Sequence, residues 1–320
     1  MNRLSTTMKS NLELKDVSIY EEPAAYNLDK YISQVNTLAL IRHLNLLIIS
    51  GQKHRGASLA LIGGDYSFEP KLALLKEQII RRINVISMLN TQYGQIVDAA
   101  TLRSIEADWR LLETSDCGGT IKSCFERHNS FIESLLGLMW RTASSMYLAN
   151  AGSSMAILDD SLVDDRAAVK GHDGVIFNKD HRILLKIIVR LMPELIETIA
   201  KLRGVATYAA VIGSCDEENQ DRLSYLLQVL KNRKDQLAEL SKSLGHTTLS
   251  TLPAITELFL HEHKLDQLQR IVRHDVIGSR GEIRVNSQEI FDFATSIVEV
   301  YYKAVEAGVD YFQHKIERTL

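Results

Sequence analysis

Two arginines stand out as residues that could do chemistry. Arg55 is followed by Gly56, Ala57 and Ser58, and 148 positions later Arg203 is followed by Gly204, Val205 and Ala206. In each case Ile-Gly comes soon after, at Ile62-Gly63 and Ile212-Gly213. Steps of three and four from Leu44 through Leu47 and Gly51 arrive at Arg55, and steps of four from Leu195 through Ile199 arrive at Arg203. Both guanidinium groups therefore share a helix face with residues that should be buried. A guanidinium keeps its proton and is costly to bury without a partner. One solution is a small planar oxyanion, which can accept paired hydrogen bonds from an arginine fork in a way that an ammonium cannot match. Two such forks repel each other when empty, so an anion would draw their helices together and turn binding into a change of shape. The plainer solution is that each arginine pairs with an internal carboxylate, such as Glu197 or Glu77, or runs its head out to water. The small residues after each arginine trim bulk and let a neighbouring helix approach. Glycine in a helix costs roughly 0.8–1.0 kcal/mol against alanine, so two in matched places call for a reason.

Other chemical candidates are weaker. His261 and His263 are two apart, on different sides of a helix, and read as surface residues rather than zinc ligands; the pattern of histidines four apart is absent. Gly63-Gly64, Gly118-Gly119 and Gly278-Ser279-Arg280-Gly281 lack the Lys-Ser/Thr of a phosphate loop and read as turns between helices. Asp159-Asp160 and Asp164-Asp165 form an acidic cluster that reads as solvated. Arg81-Arg82 and Lys231-Asn232-Arg233-Lys234 read as solvated helix faces, and no helix-turn-helix is evident. No Ser-His-Asp or Cys-His arrangement has supporting context. The expectation is a protein that is not an enzyme and carries neither metal nor cofactor.

Helices must position the arginines. Apolar or small residues recur at helical spacing from Asn36 to Ile62. Pro70 suits the first turn of a second helix reaching about Leu89, and helical patterns follow over about 97–114 and 121–150. The second half opens with a strong helix over about 181–213, with others at about 217–243, 253–275 and 286–318. Val175-Ile176-Phe177 is the one short strand candidate. In each half the Arg-Gly helix opens the set and an aromatic-bearing helix closes it, with Phe125 to Ile132 in the first and Phe291 to Ile297 in the second. The expected fold is all-α, two antiparallel four-helix bundles that look like a duplicated bundle. The divisions are an N-terminal arm over 1–34, a first bundle over 35–150, a linker over 151–180 and a second bundle over 181–320.

Composition fits this picture. The 320 residues allow one large domain or two smaller ones, and 45% hydrophobic with 24% charged residues is ordinary for a globular protein. Only 4 prolines agree with long helices. A net charge of −3, mixed in sign throughout, gives no basic surface for nucleic acid. Cys117, Cys124 and Cys215 have no metal-ligand spacing and suit a reducing compartment. The first 25 residues lack the apolar core of a secretory signal. The apolar stretch Leu38–Ile49 is interrupted by Arg42 and His43 and is too short to span a bilayer. A soluble cytoplasmic protein with no membrane contact is expected.

Three segments, Gln52 to Ser58, His128 to Leu136 and Leu195 to Gly204 with its lead-in Pro193-Glu194-Leu195-Ile196-Glu197, occur in the order found in one family. Over about residues 35–318 the chain resembles the nitrate- and nitrite-sensing domain, or NIT domain, of bacterial signalling proteins. The resemblance implies two four-helix bundles that bind nitrate or nitrite through arginines. Arg55 and Arg203 match its Arg-Gly positions, and Arg270 or Arg273 is the nearest counterpart of a further family arginine in the second bundle. His54 stands where many relatives carry Arg or Glu. Family members usually join the sensor to an output module. Since this chain ends at Leu320, soon after its last helix, the resemblance implies a separate signalling partner. The signal would pass through the relative placement of the bundles, or of two protomers in a homodimer. The alternatives are a non-catalytic helical adaptor with its arginines in structural ion pairs, or an enzyme or binder of a larger oxyanion or organic acid with a deep pocket lined by His54 or His128 beside the arginines.

Overall fold

In a computed structural model of the protein, residues 22–114, 120–148, 179–244, 252–279 and 282–318 are described. Among them every regular element is helical: the fold is all-α. The first half comprises α1 (Glu22–Ile62), a 3-10 turn (Tyr66–Phe68), α2 (Glu69–Gln92), α3 (Ala99–Thr114) and α4 (Ile121–Leu148). The second comprises α5 (Lys179–Lys186), a π-helical segment (Ile187–Leu191), α6 (Met192–Ile212), α7 (Glu217–Lys242), α8 (Pro253–Leu260), α9 (Glu262–Arg270), a second π segment (Ile271–Ile277) and α10 (Ser287–Glu317). The strand candidate Val175–Phe177, the acidic cluster at 159–165, Cys117 and Gly118-Gly119 lie outside the described residues.

The ends of these helices follow their local chemistry. Gly64 and Gly213 adopt positive φ at the turns after the two Arg-Gly helices. Pro70 sits in the first turn of α2, where a missing N–H costs nothing. Asp216 caps α7 by accepting from the Asn219 amide, and Asn286 caps α10 by accepting from those of Gln288 and Glu289. The helix expected over 181–213 is one continuous rod whose hydrogen bonding widens at Ile187–Leu191. Pro193 supplies the reason, because it has no N–H to return to the carbonyl four residues back.

One boundary differs from expectation. Residues 22–34, assigned above to a loose arm, belong to α1. No glycine interrupts the chain before Gly51 and the only nearby proline is Pro23, at the helix start, so nothing in the sequence stops the helix sooner.

Each half closes on itself. In the first, α1 contacts α2 and α4, and α3 contacts α2 and α4. In the second, α6 contacts α7 and α10, while α9 and the second π segment bridge α7, α10 and α6. The two sets are not independent: α1 also packs along α6 and α10, and a single hydrophobic cluster runs from Leu38 to Ile316. Among the described residues, one helical stretch, Leu28–Ile62 of α1, is long and apolar enough to cross a membrane. It is much longer than the apolar run Leu38–Ile49 suggests, and it is packed by α2, α4, α6 and α10 as a central core helix.

The two Arg-Gly helices cross at their glycines. A Cβ on Gly204 would sit 3.9 Å from the Gly56 Cα and 3.0 Å from Leu59 Cδ1. A Cβ on Gly56 would sit 2.8 Å from Phe291 Cε2. The matched glycines thus have the packing role expected of them. Adding a methyl at Gly56 should cost about 1–3 kcal/mol in overpacking, offset by about 1 kcal/mol of helix propensity. Gly56→Ala is therefore expected to lower the urea midpoint without changing its slope, and Gly56→Val to lower it much further. Wild-type midpoints for both would show that the crossing is slack.

Candidate functional site

Arg55 and Arg203 are both fully buried, and each reaches across the crossing to the other helix. Arg55 Nη1 donates to Glu197 Oε1 at 2.5 Å and Nη2 to Glu197 Oε2 at 3.1 Å, a two-point ion pair between α1 and α6. Its Nη1 also donates to Asn129 Oδ1 on α4 at 2.7 Å. Arg203 Nη2 donates to the Gln52 carbonyl at 2.8 Å, and its Nη1 donates to Thr295 Oγ1 on α10 at 2.9 Å. Both Nε atoms are buried without a hydrogen-bond partner. Among the described residues no carboxylate pairs with Arg203. Burial lowers its pKa to about 10, and the charge of Arg55 adds to the effect, yet Arg203 remains a cation at neutral pH.

The surroundings of the two arginines correspond. Arg55 lies over the ring of Phe125 and bonds Asn129 four residues on; Arg203 lies over the ring of Phe291 and bonds Thr295 four residues on. Each ring also takes a second cation, from the second helix of the opposite set. Arg222 of α7 lies 5.1 Å from the Phe125 centroid, and Lys71 of α2 lies 4.1 Å from that of Phe291. The correspondence fails at one place. Glu197 lies six residues before Arg203 and serves Arg55, whereas six residues before Arg55 the chain has Ile49.

Glu197 is held in turn by its neighbours. Gln52 Nε2 donates to Glu197 Oε2 at 2.9 Å, and the Tyr302 hydroxyl donates to Gln52 Oε1 at 2.6 Å. Burial raises the Tyr302 pKa well above that of a free phenol, with the Glu197 charge adding to it, so the hydroxyl stays a donor. Lys201, at 3.7 Å from Glu197 Oε1, is bonded to Glu133 on the exposed side.

His54 and His128 form a second buried pair, 2.8 Å apart between Nδ1 and Nε2. The Cys124 carbonyl can only accept, so His128 Nδ1 donates to it and His128 Nε2 accepts from His54 Nδ1. That assignment leaves His54 Nε2 as a bare acceptor, and it has no partner beside the edge-on ring of Trp109. Burial lowers the pKa of His128 to about 4, helped by the charge of Arg55, and burial beside His128 drives that of His54 well down too. Both rings are neutral at pH 7. The unfolded chain binds these protons near pH 6.5 and the folded chain does not, so stability is full above pH 6.5 and falls as pH drops toward 4. For His128 alone the loss is roughly 3 kcal/mol. Chemical denaturation between pH 7 and 4 should show this slope, and His128→Gln should make it shallower while the buried His54 ring keeps a remainder.

The sequence-derived candidates divide. Arg55 and Arg203 share one buried layer, and of the two suggested carboxylate partners Glu197 is used while Glu77 is exposed. Arg270 and Arg273 do not join them. Both are exposed, because the buried face of this stretch is Leu265, Leu268, Val272 and Val276 and the arginines fall off it. His261 and His263 lie near the start of α9, and no cluster of three or more metal-ligating side chains occurs among the described residues. His54 and His128 face each other rather than lining a pocket for an organic acid. Sequence reasoning missed Gln52, Asn129, Thr295 and Tyr302. Gln52 was detectable as the residue one turn before Arg55 on the same face. Asn129 and Thr295 sit at the same offset from the first Phe of each closing segment.

Two clefts lie elsewhere. One of about 210 Å³ is lined by Asp29, Lys30, Gln34, Thr37, Ser145 and Met146, and one of about 100 Å³ lies between α7 and the α8–α9 region. No family model matches the chain, and neither a curated protein nor a solved structure matches it.

Proposed function

We propose that the protein is a non-catalytic cytoplasmic sensor of nitrate or nitrite, which binds the anion at its inward-facing arginines and signals to a partner by a change of shape. The observation that carries this reading is Arg203, a wholly buried cation whose partners are a hydroxyl and a backbone carbonyl. Arg55 and Glu197 pair, so of the three buried charged side chains of this layer Arg203 is the one without a carboxylate partner among the described residues. A buried charge left unbalanced is costly, and a small monovalent anion would balance it. The order of the motifs that resemble the NIT domain supports the choice of nitrate or nitrite.

Packing around Arg203 is close: a Cβ on Gly56 would lie 3.5 Å from its Nε, and the Phe291 ring covers its guanidinium. Admitting an anion therefore requires Phe291 to move or α1 to part from α6. That movement would link binding to the placement of the two helix sets, or of two protomers.

A second reading, a helical adaptor with structural ion pairs, is favoured by the two-point Arg55–Glu197 pair. Calorimetry and thermal melting of the full chain separate the two. The sensor should bind nitrate or nitrite saturably, gain about 2.7 kcal/mol at a hundredfold excess over Kd, and lose binding by tenfold or more in Arg203→Ala. Melting indifferent to nitrate and nitrite favours the adaptor.

A further inference from the structure

The two arginine environments are built to one plan and filled differently. Each has a Phe beneath the guanidinium, an oxygen four residues beyond that Phe, and a second cation on the ring from the opposite helix set. At the first, the Glu197 carboxylate sets one oxygen on each Nη of Arg55, the two-point contact a planar oxyanion can also make. The outer cation there, Arg222, is also bonded to a carboxylate, that of Glu218. At the second, Arg203 has no carboxylate partner among the described residues, and the residue six before Arg55, the sequence counterpart of Glu197, is Ile49, which is apolar.

We infer that the protein holds two related guanidinium sites, that the Glu197 carboxylate is a built-in anion filling the first, and that the second, at Arg203, takes one small monovalent oxyanion per chain. This rests on the sensor reading for the ligand at Arg203. It adds a stoichiometry and a residue that sets charge selectivity. Two guanidinium groups and one carboxylate leave a single positive charge. A monoanion neutralises it, whereas a dianion such as sulfate would leave excess negative charge in a desolvated core.

The test is isothermal titration of the full chain with sodium nitrate, nitrite and sulfate at constant ionic strength, on wild type, Glu197→Gln, Glu197→Asp and Ile49→Glu. Wild type should take one equivalent of nitrate or nitrite and no sulfate. Glu197→Gln empties the first site and should take a second equivalent, with sulfate affinity rising on the order of tenfold or more. Glu197→Asp keeps the charge and should stay at one equivalent. Ile49→Glu supplies the missing carboxylate and should abolish binding while the thermal transition remains cooperative. Should Glu197→Gln melt early, added nitrate should restore its midpoint where chloride does not; failure to restore it overturns the inference. One equivalent in both wild type and Glu197→Gln overturns the inference and leaves the sensor reading standing. Binding only in Glu197→Gln overturns the Arg203 site, and with it both the inference as stated and the sensor reading. No binding in either overturns both.

Discussion

The ion pair between Arg55 and Glu197 is the constraint around which the core is arranged. Two charges removed from water need good mutual geometry and partners for most of their remaining hydrogen-bonding groups. Here Asn129 takes a further Arg55 proton, Gln52 donates to the carboxylate, and Tyr302 in turn donates to Gln52. These groups come from α1, α4, α6 and α10, so satisfying one pair registers four helices at a single level. The glycine crossing lies at the same level, with Gly56 directly after Arg55 and Gly204 directly after Arg203. Without close backbone approach there, neither arginine could end on the opposite helix.

The same arrangement makes α1 the organising element. At 41 residues it is the longest helix described, and it contacts both halves of the protein. Of its buried polar residues, Gln52, His54 and Arg55 fall within about one turn and meet α4, α6 and α10. Specificity of register is concentrated in that turn, while the apolar stretch Leu38 to Ile48 supplies burial on either set.

Much of this was legible in the sequence. The helical spacing that placed Arg55 and Arg203 inward was right, because an apolar stripe with few prolines leaves a helix little freedom over which face it buries. Glu197 was nameable only as a carboxylate near Arg203 in sequence, since six residues set it about 120° round the helix from the Leu195, Ile199, Arg203 stripe. Which arginine it would serve was not legible: the pairing crosses between helices, and periodicity describes only one helix at a time. Arg270 and Arg273 misled for a related reason. A loosely matched position says nothing about facing, whereas Leu265, Leu268, Val272 and Val276 already define the buried stripe. The start of α1 was missed because polar residues near an end resemble an arm, although no breaker lies between Pro23 and Gly51.

The π segment at Ile187–Leu191 bears on more than the accommodation of Pro193. Its closing bond runs from the Met192 amide to the Ile187 carbonyl, five residues back. One residue inserted into a turn rotates everything beyond it by about 100° relative to an unbroken α-helix. Within the bulge, Ile188 abuts Gly308 of α10 so closely that a Cβ there would collide with it. Downstream, Glu197 and Arg203 reach α1, and Arg203 also reaches Thr295 of α10. The bulge is therefore a phase adjuster. It shifts, relative to an unbroken α-helix, which side chains of the rod reach α1 and α10 beyond Ile187–Leu191, and so sets the register at which Glu197 and Arg203 meet their partners.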